Sequence, residues 1–235
     1  MPMISFYYAK PSLFSRPVWI TLLEKDLKFE PIYVNMGGDQ FTPEFRALNP
    51  FCRIPVLVDN GLTITESQAI LDYLDLQYPQ PKLLPPSAQA VAKVRQVQMI
   101  AVNELVPAIG ECLMKKPDQQ TYAKHRAVTV LNMFEGLLEA PYFGGDGLSL
   151  ADIVTGSLVP VLGDLGFTLD QQPKLQRWLQ VLMARPAWQQ TQLSAPEKDR
   201  FMRSIRALAK LWQKRRRQRA DALLVPKKNT PPTIS

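Results

Sequence analysis

The sequence predicts an α/β domain followed by an all-α domain, and three observations predict it. Segments rich in β-branched and aromatic residues alternate with helix-forming ones up to residue 79. Four prolines then fall within residues 79–86 (PQPKLLPP), a stretch poor in helix formers and stiff enough to link two bodies. Beyond it nearly every segment has a helical period.

Taken in order, residues 4–9 read as a strand, 10–12 as a turn and 13–25 as a helix. Residues 29–34 form a second strand. Thr42 then caps a short helix with Pro43 at its first position and Glu44 in its first turn, ending before Asn49-Pro50. Residues 54–59 and 62–65 alternate around Asp59-Asn60-Gly61, the chemistry of a tight hairpin. Glu66 and Ser67 open a helix whose apolar face is Ile70, Leu71, Tyr73, Leu74 and Tyr78, and Pro79 ends it. The order βαβα then ββα gives a mixed four-stranded sheet with three helices. After the linker, residues 91–114 and 122–138 read as two long helices. A loop with Gly144, Gly145 and Gly147 leads to Ser149-Leu150-Ala151-Asp152, a capping hydroxyl with an acid three residues on, followed by Ile153, Leu158, Val161 and Leu162. That pattern marks the start of a buried helix. The expected units are 1–79, a linker at 80–87, an all-α domain at 88–194 and a basic C-terminal helix with a mobile tail at 195–235.

Composition narrows the function. The chain has 235 residues, 46% of them apolar, enough for a real core. Two cysteines, Cys52 and Cys112, and a single His125 cannot supply a four-ligand zinc site or a local redox pair, so no metal is expected. Few cysteines also favour a reducing compartment. His125 sits in an apolar-periodic stretch without a Gly-x-Ser-x-Gly elbow and reads as a helix-surface residue. The longest uncharged apolar run, residues 153–163, is too short to span a bilayer, and the first nine residues lack the basic start of a secretory signal. A cytoplasmic protein is expected. Residues 1–194 hold sixteen basic and eighteen acidic side chains, whereas 195–235 hold twelve and three, so the positive charge belongs to the tail.

Three constellations could carry chemistry. Ser12 lies between the first strand and the first helix, where its hydroxyl either caps the helix or joins the unpaired N–H groups in an anion site. Ile54-Pro55 precedes a strand; Pro55 is either an ordinary trans proline at a strand edge, or cis and able to offer the Ile54 backbone to an extended peptide. Glu66 and Ser67 either cap a helix or hold both ends of an amino acid, the acid taking an ammonium and the N–H groups and hydroxyl taking a carboxylate.

Over residues 3–192 the sequence resembles a glutathione transferase. The likeness rests on "SLFSRPVWITLLEKDLKFE", "TPEFRALNPFCRIPVLVDNG", "LTITESQAILDYLDLQYP" and "GGDGLSLADI", the last resembling the capping box and hydrophobic staple of that family's buried sixth helix. The resemblance implies a thioredoxin-like first domain, glutathione as co-substrate and a homodimer. It implies further that Ser12 falls on the serine of the theta, phi, tau and zeta-like classes, so conjugation is expected, where cysteine would imply thiol exchange. Ile54 and a cis Pro55 fall on the pair that binds the cysteinyl backbone of glutathione, and Glu66 and Ser67 on the pair that holds its γ-glutamyl end. Gln40 and Arg53 fall where several classes place polar or basic groups near the glycine carboxylate. Cys52 departs from the glycine usual in that loop; it reads as a small buried hydrophobe or as the site of a mixed disulfide with glutathione. Tyr7 and Tyr8 read as sheet residues.

A small electrophile is expected between the domains, with Met99, Val102, Asn103, Val106 and Pro107 as candidate lining. Residues 197–224 read as one more helix, with Phe201, Ile205, Leu208 and Trp212 on one face. The basic run at 214–219 is either a solvated segment or a contact for anionic lipid, nucleic acid or an acidic protein. The leading expectation is a glutathione transferase. The alternatives are a non-catalytic transferase-like scaffold for protein assembly and a glutathione-dependent isomerase or peroxidase.

Overall fold

The computed structural model describes residues 4–203. The basic run at 214–219 and most of the expected final helix lie outside them.

Strands β1 (Ile4–Tyr8), β2 (Phe29–Tyr33), β3 (Val56–Asp59) and β4 (Leu62–Thr65) form one sheet in the order β2-β1-β3-β4. β1 and β2 run parallel, joined by the crossover helix α1 (Ser15–Glu24); β3 is antiparallel to both β1 and β4. Asn60 and Gly61 turn the β3-β4 hairpin with φ of 49° and 83°, the paired left-handed conformation that Asn-Gly adopts at little cost. Helices α2 (Pro43–Leu48) and α3 (Ser67–Gln77) complete the α/β half. This is the expected mixed four-stranded sheet with three helices. Thr42 caps α2 by accepting from Phe45 N–H at 3.3 Å.

The linker is pinned rather than merely stiff. Lys25, buried on the last turn of the α1 region, donates to Asp75 Oδ1 at 2.8 Å and to the carbonyls of Tyr78 and Pro81 at 2.9 and 2.7 Å. Asp75 in turn accepts from the N–H groups of Leu83 and Leu84. Every polar group of this buried pair thus has backbone company, the condition under which a buried ion pair is tolerated.

The second half contains α4 (Ala88–Ile100), α5 (Val106–Met114), α6 (Thr121–Leu137), α7 (Leu150–Asp164), α8 (Pro173–Met183) and α9 (Pro186–Gln190). The single helix expected over 91–114 is one run, Ala88–Met114, interrupted by a π turn at Ala101–Leu105. Pro107 has no N–H to give and its ring crowds the carbonyl four residues back, so the turn widens. That carbonyl, on Asn103, accepts from Arg126 Nη2 at 2.9 Å instead. The run has the length and hydropathy of a membrane span, yet Val94, Val97, Gln98, Ala101, Leu105 and Ile109 are buried inside the fold.

α7 is buried along most of its length, as its capping signal predicts. Ser149 and Asp152 form the reciprocal capping box. The fully buried Asp152 carboxylate also accepts from Phe143 N–H at 2.9 Å and Trp178 Nε1–H at 2.8 Å. Gly156 leaves room for Leu182 and for Trp188, whose indole donates to the Gly156 carbonyl at 3.2 Å. α1 packs on α7 and α9, and one apolar core runs from Phe6, Val18 and Leu57 of the first half to Leu105, Phe134 and Leu158 of the second. The domains therefore share a core at the place where α1 begins.

Candidate active site

The sheet register gathers the three constellations. Tyr7 pairs with Val56, and Val56 with Thr65. The chain leaving β1 toward Ser12, the chain entering β3 through Ile54-Pro55 and the chain leaving β4 into Glu66-Ser67 therefore meet at one end of the sheet.

Ser12 closes the first turn before α1. Its N–H donates to the Ala9 carbonyl at 3.0 Å and its carbonyl accepts from Arg16 N–H at 3.1 Å. Its Oγ accepts from the N–H groups of Phe14 at 3.3 Å and Ser15 at 3.1 Å. The two readings of this residue are thus compatible: both lone pairs satisfy orphan helix donors, and the hydroxyl proton is left to donate outward. Two donors pulling on Oγ also make its O–H a stronger donor.

The Ile54-Pro55 peptide is cis, so the reading of an ordinary trans proline is set aside. Pro55 is buried and Ile54 half-buried. The loop before it is organised by Asn49, a residue whose role the sequence reading missed. Asn49 is 3% exposed; its Nδ2 donates to the Arg53 carbonyl at 2.8 Å and its Oδ1 accepts from Phe51 N–H at 3.0 Å. The only signal was the Asn-Pro dipeptide, which marks a turn without saying what the side chain holds. Cys52 occupies a left-handed conformation, φ 55°, the region a glycine enters freely, so the turn survives the replacement. Its thiol is free and half-exposed, which corrects the reading of a small buried hydrophobe.

Glu66 is exposed, has φ 70°, and makes no side-chain bond to the helix it precedes. The cap reading therefore fails for its carboxylate, which is left open to solvent. Ser67, first residue of α3, is buried at 6% exposure. The second helical half braces this helix start: fully buried Gln98 of α4 donates to Gln68 Oε1 at 2.9 Å and accepts from Arg95 Nη1 at 3.1 Å, and Arg95 pairs with Asp72 one turn along α3.

The two residues expected near a glycine carboxylate differ in exposure. Arg53 is exposed beside Ile54. Gln40, in the short 3-10 turn Asp39–Phe41, is buried with its Nε2 donating to the Met36 carbonyl at 2.8 Å, while its Oε1 is buried without a partner. His125 is exposed on α6. Among the described residues no group of three His, Cys, Asp or Glu side chains gathers to hold a metal.

A cavity of about 310 Å³ opens beside Ser12. Its walls include Lys10 and Arg16 from the α1 side, Leu113 at the end of α5, Val161 and Asp164 of α7, and Met202. None of Met99, Val102, Asn103, Val106 and Pro107 lines it. Val102, Val106 and Pro107 are half-buried, and Met99 and Asn103 are exposed, because the π turn rotates that stretch of helix relative to its neighbours. The turn after β1 contributes residues 10–13 and the helix over 88–114 contributes Leu113; the rest of the wall comes from α1, α7 and residues 165 and 191–202. A helix over 195–203 starts with a Ser194–Glu197 cap, and Glu197 reaches across to Lys10 Nζ at 2.9 Å, while Lys198 pairs with Asp164 at 2.8 Å. Lys10 and Ser194 together hold the Glu197 carboxyl down at about 2.

Residues 11–77 match the family profile for the glutathione S-transferase N-terminal domain, and residues 97–186 the profile for its C-terminal domain. The chain belongs to the glutathione S-transferase family. Relatives include maleylacetoacetate isomerase of Rattus norvegicus, 30% identical over 181 residues, which are 73% of this chain and 84% of that protein. Glutathione S-transferase D7 of Drosophila melanogaster is 31% identical over 218 residues, 88% of this chain and 96% of its own. Among solved structures, a delta-class glutathione transferase of Nilaparvata lugens superposes with a TM-score of 0.73 at 25% identity, over 80% of this chain and 92% of that one. The family supplies the thioredoxin-like first domain, the helical second domain and the enzyme class, a glutathione transferase, that the sequence resemblance implies.

Proposed function

We propose that the chain binds glutathione at the sheet end formed by Ser12, Ile54-Pro55 and Glu66-Ser67, and joins it through its sulfur to a small electrophile in the adjoining cavity. The Ile54 backbone pairs with the cysteinyl residue of the peptide. Glu66 takes the γ-glutamyl ammonium, and Ser67 with the N–H groups opening α3 takes the α-carboxylate. Arg53 serves the glycine carboxylate, with Gln40 holding the loop beside it.

The observation that supports this most is the hydrogen bonding at Ser12 Oγ, which accepts twice from the backbone and keeps a proton to donate beside an open cavity. A thiol of pKa about 8.5 is only about 3% thiolate at pH 7, and lowering that pKa by about two units requires roughly 2.7 kcal/mol. A hydrogen bond to a charged acceptor contributes about 1.5–3 kcal/mol and a helix N-terminus about 0.3–1. One hydroxyl at this helix end suffices. With no base within its hydrogen bonds, Ser12 acts as a donor to sulfur and not as a nucleophile. The thiolate attacks the electrophilic carbon, a carbon–sulfur bond forms, and the leaving group departs with its electron pair.

The test is retention on immobilised glutathione followed by turnover of a chloronitrobenzene. Wild type is expected to bind and turn over, and Ser12→Ala to bind but turn over slowly. Failure of wild type to do either supports the scaffold reading. The likeness to maleylacetoacetate isomerase favours a second reading, in which the thiolate adds to a double bond, the adduct rotates and the thiolate leaves again. The same reading places the protein in the cytoplasm as a homodimer, with the basic tail as the contact for an anionic partner.

A further inference from the structure

Arg16 has an unusual place in the wall beside Ser12. It follows Ser12 by one helical turn, roughly 6 Å along the axis, and the Arg16 N–H to Ser12 carbonyl bond fixes that spacing. Among the described residues its guanidinium donates to neutral acceptors, both at long range: Nε to Thr191 Oγ1 at 3.4 Å and Nη1 to the Ser157 carbonyl at 3.3 Å. Nη2 is buried and has no acceptor. Among the described residues Arg16 forms no ion pair, although acids lie nearby. Each is engaged elsewhere: Glu197 by Lys10, Asp164 by Lys198, Glu24 by Arg185. Asp199, the other acid of the wall, is exposed at the rim.

Burial, only partly offset by Asp164, pulls the Arg16 guanidinium down to about 10. At neutral pH it is still fully charged. A half-buried cation with five N–H groups thus stands in the cavity wall with no carboxylate in ion-pair contact among the described residues, a placement that an anion entering the cavity would stabilise. The wall it shares mixes Leu113, Val161 and Met202 with Ser157, Asp164 and Thr191, and the structural return for the charge is two long bonds that tie α1 to the helical half.

We propose that Arg16 binds a carboxylate on the second substrate, so that the acceptor is a small anionic electrophile with its reactive carbon a few bonds from a carboxylate. This rests on the transferase reading above, and names the substrate class of the same cavity. The shared cavity sets the size: sulfur held at Ser12, carboxylate held at the Arg16 guanidinium in the same wall, and between them an electrophile short enough for about 310 Å³. Planar bidentate recognition of carboxylate is what a guanidinium offers and a lysine does not.

The experiment compares 4-chloro-3,5-dinitrobenzoate with its uncharged isostere 4-chloro-3,5-dinitrobenzamide, in which thiolate displaces chloride para to the varied group. Wild type is expected to favour the benzoate by at least about tenfold in kcat/KM, although the carboxylate activates the ring less than the amide does. In Arg16→Gln that ratio is expected to fall about tenfold or more, and in Arg16→Lys to fall part of the way. An unmoved ratio in Arg16→Gln overturns the proposal, as does a wild-type ratio near or below one; equal loss on both acceptors would make Arg16 a partner of the thiolate instead. Equilibrium binding of the two compounds without glutathione, read by tryptophan quenching, separates this claim from the transferase reading. Benzoate binding that depends on Arg16 in a protein with no turnover sinks only the transferase reading. Turnover with equal binding of both compounds sinks only this one.

Discussion

At Ser12 one oxygen both caps a helix and, in the proposed mechanism, activates a thiol, and the two roles can be separated by measurement. Ser12→Ala removes the acceptor for the Phe14 and Ser15 N–H groups, which is expected to lower stability by about 1 kcal/mol in urea unfolding. It also removes the donor to sulfur, which is expected to lower kcat/KM about 10- to 100-fold at neutral pH. A rate unchanged while stability falls would leave Ser12 a cap and nothing more. The places of Ser12, Pro55, Glu66 and Ser67 in the fold were legible in the sequence because each sits at a junction that a strand or helix signal locates. Those of Gln40 and Arg16 were not. Gln40 turns inward because a 3-10 turn rolls it under Met36, and Arg16 gains its meaning from Thr191 and Ser157, more than 140 positions away along the chain. No local pattern encodes such a partner.

At the scale of elements, capping signals were the most readable. Ser149 and Asp152 announce α7, but the sequence does not show that the same carboxylate also receives Phe143 and Trp178. Asp152→Ala would leave those buried donors unsatisfied along with the cap, and a loss of at least about 3 kcal/mol is expected in urea unfolding, far beyond that of an ordinary cap. The π turn at Ala101–Leu105 was hidden, since Pro107 is compatible with a kink, a break or a widened turn, and only Arg126 across the bundle selects one. The described part of the helix, residues 195–203, carries a pH dependence whose direction follows from Glu197. Its carboxyl is depressed from an ordinary 4.5 to about 2, so the contribution of the Lys10–Glu197 contact is complete above about 4.5 and is lost as pH falls from there toward 2. Hydrogen exchange of residues 195–203 is expected to stay level between pH 8 and 5, with the intrinsic rate divided out, and to rise below that range. A rise centred near pH 6 or 7 would mean that another group holds the helix.

For the molecule as a whole, the sequence predicts two halves, and the structure shows where they meet. α1 runs from the sheet into the helical half, the pinned linker fixes their spacing, and the cavity opens where the shared core ends. The tail expected to begin at residue 195 starts in the cavity wall: Lys198, Asp199, Phe201 and Met202 line it. Ending the chain after residue 203 is therefore expected to leave acceptor KM within about twofold. Ending it after residue 194 is expected to raise acceptor KM several-fold while leaving the KM for glutathione nearly constant. Equal effects from both truncations would place the determinant beyond residue 203.

The most direct measurement follows the ultraviolet absorbance of the bound glutathione thiolate against pH, in wild type and in Ser12→Ala. The account predicts a wild-type midpoint about two pH units below that of the free tripeptide, near 8.5, with most of the displacement lost in the variant. A wild-type midpoint coincident with that of free glutathione would contradict it.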